Sequence, residues 1–345
     1  MRSYYDLEEK RIIRWAQLAS YRRLLIQAPD GMKTCARRLA ELLTENGFEP
    51  FLSSSHAWGG CDVALNELDA LGLDALVHLG HHGPVRFSPS TNVLFVPGYS
   101  TVNVLRGVEK ALAKLTDEDV RRVGLVTTIQ HLNQLPRIKA FLAENGFEVL
   151  TSKSPSPRMS EGLVIGCDVR AAEIVASKVD AFLVVAGGTF HALGVALANG
   201  CSKTIAVDPY LEKVSDMGNE VKSVLSRRLA QLADALDSRE AAVIVSTKPG
   251  QRIGWDKLKG LEETLRRYDI KTQFLVFNDV TREALENYGW FDLYINTACP
   301  RLAIDDPHLF PGPVVNAEEF LSVLRKGLQN YEPGLALRSC FSNLS

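Results

Sequence analysis

Glu45-Asn46-Gly47-Phe48-Glu49 returns 99 residues later as Glu144-Asn145-Gly146-Phe147-Glu148. Gly60-Cys61-Asp62-Val63 returns after 106 residues as Gly166-Cys167-Asp168-Val169. Twelve residues beyond each of those aspartates a similar strand begins, Asp74-Ala75-Leu76-Val77-His78 and then Asp180-Ala181-Phe182-Leu183-Val184. A fainter third copy keeps the spacing: Asn278-Asp279-Val280 stands in the Cys-Asp-Val place, and Asp292-Leu293-Tyr294-Ile295 follows 13 residues on. Self-similarity at such a period signals a repeated architecture.

The first strands of the copies match as well. They are Leu24-Leu25-Ile26, Val123-Gly124-Leu125-Val126 and Ala242-Val243-Ile244-Val245. Helical stretches with apolar residues three and four apart follow, such as Cys35, Leu39, Leu42 and Leu43. Two of these helices stop at Asn-Gly, at Gly47 and Gly146, where glycine takes the left-handed turn that closes a helix. Strands alternating with helices of this length predict βαβ units and parallel sheets. The near-continuous apolar strands predict helices on both faces. The expected fold is α/β, with three similar domains at 1–105, 106–215 and 216–345, each a small parallel sheet flanked by helices; one large doubly wound sheet is the alternative.

Composition narrows the function classes. Of 345 residues, 46% are hydrophobic and 23% charged, as in an ordinary soluble enzyme. Lys plus Arg is 39 and Asp plus Glu 41, so the net charge of −2 offers no footprint for nucleic acid or an anionic membrane. Met1 to Ser20 lacks the apolar stretch of a signal peptide, and no run reaches the roughly 18–20 apolar residues of a membrane span. A cytoplasmic location is expected.

Cys35, Cys61, Cys167, Cys201, Cys299 and Cys340 are widely spaced, with no CxxC, which argues for reduced thiols rather than a disulfide scaffold. Cys61 and Cys167 fall in equivalent loops after the second strand of their copies. Cys299 ends the third strand of copy three, seven residues after Asp292, in step with His81 and Gly187. Ligands of open parallel sheets sit at this carboxyl edge. If the domains pack about a common centre, three thiolates converge. A Cys₃ set is open, unlike a four-ligand structural zinc site, and a cluster held by three cysteines leaves one iron free for substrate. The other reading makes each cysteine a small buried hydrophobe. Cys35 lies on the apolar stripe of its helix, and Cys201 and Cys340 are expected to be packing or exposed thiols.

Other signals are local. Strand alternation places His81 on the face opposite His78 and His82, with His78 in the core and His81 in a pocket. Gly187-Gly188 leads into a helix, where free N–H groups could hold a carboxylate or phosphate, or form a packing turn. Lys248 ends a first strand, as a cation at the chemical edge or as a solvated turn lysine.

These residues bring a resemblance into view. The chain is similar to the diphthamide-biosynthesis 3-amino-3-carboxypropyl transferases in their single-chain archaeal form. The matching segments are Gln27-Ala28-Pro29-Asp30-Gly31-Met32, Gly59-Gly60-Cys61-Asp62, His78-Leu79-Gly80-His81 and Thr127-Thr128-Ile129-Gln130-His131. They continue through Gly166-Cys167, Gly187-Gly188-Thr189-Phe190-His191, Ser246-Thr247-Lys248-Pro249-Gly250-Gln251 and Thr297-Ala298-Cys299-Pro300-Arg301. The last, followed by Ile304-Asp305-Asp306, is the most specific.

The resemblance implies that Cys61, Cys167 and Cys299 bind a 4Fe–4S cluster whose open iron takes S-adenosylmethionine. One electron then releases methylthioadenosine and a 3-amino-3-carboxypropyl radical. That radical adds to a histidine of translation elongation factor 2. The cofactor-binding residues it implies are Asp30, Gly31, His81, Gln130, His131, Gly187, Gly188, His191, Lys248 and Gln251, with no catalytic residue beyond the cluster ligands. It further implies a homodimer, an external electron donor and an active rather than inert chain. The CxxxCxxC loop of ordinary radical enzymes of this cofactor is absent, which suits the variant chemistry. Asp30 stands where the family commonly has glutamate, and His82 where it has a small polar residue. A quinolinate-synthase-like dehydratase, or a metal-binding partner subunit without activity, remains the alternative.

Overall fold

The computed structural model describes residues 4–83, 91–116, 120–156, 158–200 and 202–338. Its strands build three principal sheets, one for each copy of the repeat. In the first, Arg23–Gln27 lies between Glu49–Leu52 and Ala75–Leu79, with Val93–Val96 outside. In the second, Arg122–Thr127 lies between Glu148–Leu150 and Ala181–Val185, with Thr204–Asp208 beyond. The third sets Glu240–Ser246 between Lys271–Phe277 and Leu293–Asn296, then Val314–Asn316. Within each repeat the strand order is therefore 2-1-3-4, parallel throughout. The connections leaving strands 1 and 3 diverge at their carboxyl ends, which opens a crevice there. The middle sheet adds an antiparallel edge strand, Lys213–Asp216, and Tyr5–Asp6 pairs separately with Tyr99–Ser100.

Alternation along each first strand supplies both faces of the core. Leu24 and Ile26 pack with Leu39 and Leu43, whereas Leu25 packs with Val63 and Leu68. Val123 and Leu125 join Ile138 and Leu142, and Val126 joins Leu193 and Leu197. Ala241 and Val243 join Leu261 and Leu265, whereas Ala242 and Ile244 join Leu285 and Phe310.

The repeat extends to hydrogen bonds. The aspartate before each third strand accepts the two backbone N–H groups that open the first strand. Asp74 takes Arg22 and Arg23 at 2.8 and 2.7 Å, and Asp180 takes Arg121 and Arg122 at 3.1 and 2.8 Å. Asp292 takes Arg239 and Glu240, both at 3.2 Å. This pairing fixes where strands 1 and 3 meet in every copy.

The helix stops repeat too. Gly47 and Gly146 turn left-handed at φ 84° and 88°, and Phe48 and Phe147 bond back to Leu43 and Leu142. In copy three the same closure, Ile270 N–H to Leu265, forces Asp269 to φ 59°. A Cβ is strained there and glycine is not. Asp269→Gly is expected to stabilise the protein by about 1 kcal/mol, read as a rise in the urea midpoint. A fall in the midpoint would contradict this account of the third stop.

No helix among the described residues is long and apolar enough to cross a membrane.

Candidate metal centre

Cys61 sits in the loop between the strand Glu49–Leu52 and the helix Leu65–Ala70. Cys167 rides the tip of a tight turn that Ile165 and Asp168 close with reciprocal backbone bonds of 3.0 and 3.2 Å. Gly166 in that turn lies on the Phe190 ring, 2.6 Å from where a Cβ would stand. Cys299 follows Leu293–Asn296, and its carbonyl accepts the Asn296 amide at 2.8 Å.

All three cysteines are half-buried, and their thiols act on one another. Burial pushes the Cys167 thiol well up, and Cys61 and Cys299 push it further. Burial raises Cys299 to about 12, with Cys61 adding to the rise. Burial also raises Cys61, opposed by a hydrogen bond from Gln251. Three sheets thus deliver three thiols to one region. Among the described residues no three His, Cys, Asp or Glu side chains close on a point that one metal ion could fill. Thiols are soft donors that suit iron–sulfur clusters, and Cys61, Cys167 and Cys299 could hold one. Cys35 is buried with Leu39 and Leu43, as its helical position predicts. Cys201 and Cys340 lie outside the described residues.

Charged groups hold the cysteine loops. Lys248 is neither a solvated turn residue nor a free cation. It is buried, with its ammonium 2.8 Å from both Asp62 and Asp279. Burial raises the Asp62 carboxyl above its ordinary value even so. Asp62 and Asp279 occupy the same place in copies one and three, so one lysine joins two repeats. In copy two, Asp168 accepts Ser154 at 2.8 Å, Ser156 at 2.7 Å and Arg170 at 2.7 Å. Arg301, also buried, pairs with Asp305 at 2.5 Å and stacks 3.7 Å over Phe190, so it bridges the Cys299 and Cys167 loops.

The histidines depart from the strand alternation. The strand ends at Leu79, and Gly80 turns to φ 77°, which swings His81 back so that its Nδ1 lies 2.9 Å from His78 Nε2. His78 is fully buried and its Nδ1 meets Gln27 Oε1 at 2.9 Å. Gln27 in turn donates to the Asp62 carbonyl at 2.9 Å and accepts from Ala64 at 3.0 Å, bracing the Cys61 loop. Burial depresses His81 and His82 to about 4, and His191 to about 3 with Arg301 and His81 adding to its fall. These imidazoles are neutral at pH 7.

The remaining candidates scatter. Asp30 and Gly31 are exposed, and Asp30 pairs with His56 at 2.7 Å. Gln130 donates to the Gly80 carbonyl at 2.5 Å. The Gly188 N–H is not free for an anion, since it donates to Asp208 at 2.9 Å. Gly187 is exposed, with the Tyr210 ring 3.4 Å from where its Cβ would be. His131 is fully buried, its ring 5.3 Å from that of Tyr210. Neither His131 nitrogen, nor His191 Nδ1, has a hydrogen-bond partner among the described residues.

Sequence reasoning gave no role to Gln27, Asp62, Asp168 or Arg301. Asp62 and Asp168 carried a signal, since each follows its cysteine in the repeat. Gln27 and Arg301 stood in the matching segments without one.

The profile of the diphthamide synthesis protein family matches residues 28–332. The chain belongs to that family. A 2-(3-amino-3-carboxypropyl)histidine synthase from Pyrococcus horikoshii is 32% identical over 315 residues, covering 91% of this chain and 89% of that protein. The enzyme of that name from Methanocaldococcus jannaschii is 24% identical over 348 residues, covering 94% and 92%. Human subunit 1 of the same synthase is 25% identical, covering 94% of this chain and 73% of its own length. A crystal structure of Dph2 from Pyrococcus horikoshii with a 4Fe-4S cluster superposes at a TM-score of 0.83 with 31% identity, covering 94% and 92%. Diphthamide synthesis accordingly stands over the quinolinate-synthase-like and inert readings.

Proposed function

We propose that this chain is a 2-(3-amino-3-carboxypropyl)histidine synthase, which moves the 3-amino-3-carboxypropyl group of S-adenosylmethionine to a histidine of translation elongation factor 2. The observation that carries the reading is the delivery of one thiol from each of three sheets to a shared, half-buried region. Cys61, Cys167 and Cys299 would hold a 4Fe–4S cluster with one iron open. Reduced by an external donor, the cluster supplies the single electron that breaks the bond between the sulfur and the γ-carbon of the methionine moiety.

The protein's own task is positioning. Strand ends braced by Lys248, Arg301 and the Gln27–His78 pair fix the three sulfurs, so the reacting carbon can be held in one geometry. The polar groups of the cosubstrate need partners, and two candidate donors, Gly188 and Lys248, are already engaged. His191 and His131 keep unengaged ring nitrogens, and a neutral imidazole can donate or accept without adding charge. We assign cosubstrate contact to them first, with His81 and Gly187 beside them. Gln130 and Gln251 are tied to other groups, and Asp30 and Gly31 would act from the surface.

The reading carries three domains, at 1–105, 106–215 and 216–345, and a cytoplasmic homodimer. The test is product analysis. The protein is reconstituted anaerobically and given dithionite and S-adenosylmethionine, and products are identified by mass spectrometry. Methylthioadenosine with a four-carbon amino-acid fragment, absent without reductant, is expected. Intact S-adenosylmethionine beside a present and reducible cluster would overturn the reading.

A further inference from the structure

Among the described residues, one side chain donates a hydrogen bond to a cysteine of the centre. It is Gln251, whose Nε2 lies 3.3 Å from Cys61 Sγ. Cys61 and Gln251 are 190 residues apart and lie in loops of different repeats, so this contact exists only because copies one and three dock. The docking is specific. The Gly250 N–H donates to the Cys61 carbonyl at 2.8 Å, and the Gln251 N–H to the Lys248 carbonyl at 2.9 Å. The Lys248 ammonium then reaches back 2.8 Å to Asp62, the residue beside Cys61. Gln251 is itself buried, so water does not compete for its amide.

An N–H aimed at a ligating sulfur draws negative charge from it and favours the electron-richer oxidation state of the metal group, which raises its reduction potential. We infer that Gln251 is a positioning residue that draws negative charge from Cys61 and raises the reduction potential of the centre. The loop Lys248–Gln251 is the device that holds the donor in place. This inference rests on the cluster reading above.

The experiment compares wild type, Gln251→Met and Gln251→Ala as full-length, anaerobically reconstituted proteins. Iron and sulfide content and the midpoint potential, followed by EPR, are measured without S-adenosylmethionine. Both variants are expected to load the cluster and to show a lower midpoint than wild type. Met fills the volume of Gln without a donor, so a fall in both variants assigns the effect to the lost N–H rather than to a cavity. An unchanged or higher midpoint at full loading overturns the inference. So does loss of the cluster from both folded variants, which would make Gln251 a structural prop. Wild type that takes up no cluster counts against the proposed function instead.

Discussion

Cys299→Ala is expected to lower methylthioadenosine formation by more than about 100-fold, since even residues that merely support a metal ligand cost about 10–100-fold when changed. The fold should survive. Cys299 is half-buried at a strand end, and its backbone anchors, the Asn296 amide at 2.8 Å and the Leu302 N–H at 3.0 Å, do not use the thiol. Removing one sulfur from a donor set of three leaves two, with no substitute cysteine nearby among the described residues. The iron content and the characteristic visible absorption should fall with turnover, while the melting transition stays cooperative. If both cluster and turnover persist in the variant, the cysteine is a packing residue and the centre lies elsewhere.

The largest effect on stability is expected from Glu319→Ala. Glu319 is fully buried and pairs with Arg228, itself 1% exposed. It also accepts the Asn316 N–H and the Tyr331 hydroxyl, each at 2.9 Å, so the carboxylate caps the helix Ala317–Lys326 as well. Arg228 in turn donates to the carbonyls of Ala303 at 2.9 Å and Val314 at 2.8 Å. Deleting the carboxylate leaves a buried guanidinium without its counter-charge, which costs about 3–5 kcal/mol. Urea unfolding should report that loss. Arg228→Met combined with Glu319→Leu should recover much of it, because an apolar pair of similar volume avoids the desolvation of both ions. A single variant within about 1 kcal/mol of wild type would mean that water reaches the pair. Ala303 belongs to the helix Arg301–Asp305 just after Cys299, so loosening this pair should also reduce cluster retention.

The repeat in the sequence determined the architecture. Apolar strands of fixed spacing, helices closed by a left-handed residue and an aspartate before each third strand are local rules, satisfied within one copy, and each copy obeys them. The three cysteines were legible for the same reason, since the spacing places them at the carboxyl edges of the sheets. Even the faint third copy kept the pattern where its letters changed, with Asp269 in the place of glycine and Asn278 in the place of cysteine.

What only the tertiary structure decided is which groups remain available there. Lys248 read either as a cation at the chemical edge or as a solvated turn lysine, but its partner Asp62 is 186 residues away. Gly188 read either as an anion-binding amide or as part of a packing turn, and Asp208, one strand further on, takes its N–H. His81 read as facing away from His78 because alternation was carried past Gly80, where the strand had already ended. Strand and helix patterns act across a few residues, whereas the pairing of buried charges depends on how three sheets dock. That docking is set by shape and desolvation over the whole chain, so the sequence placed the cysteines at the sheet edges and the packing chose which groups near them stay available.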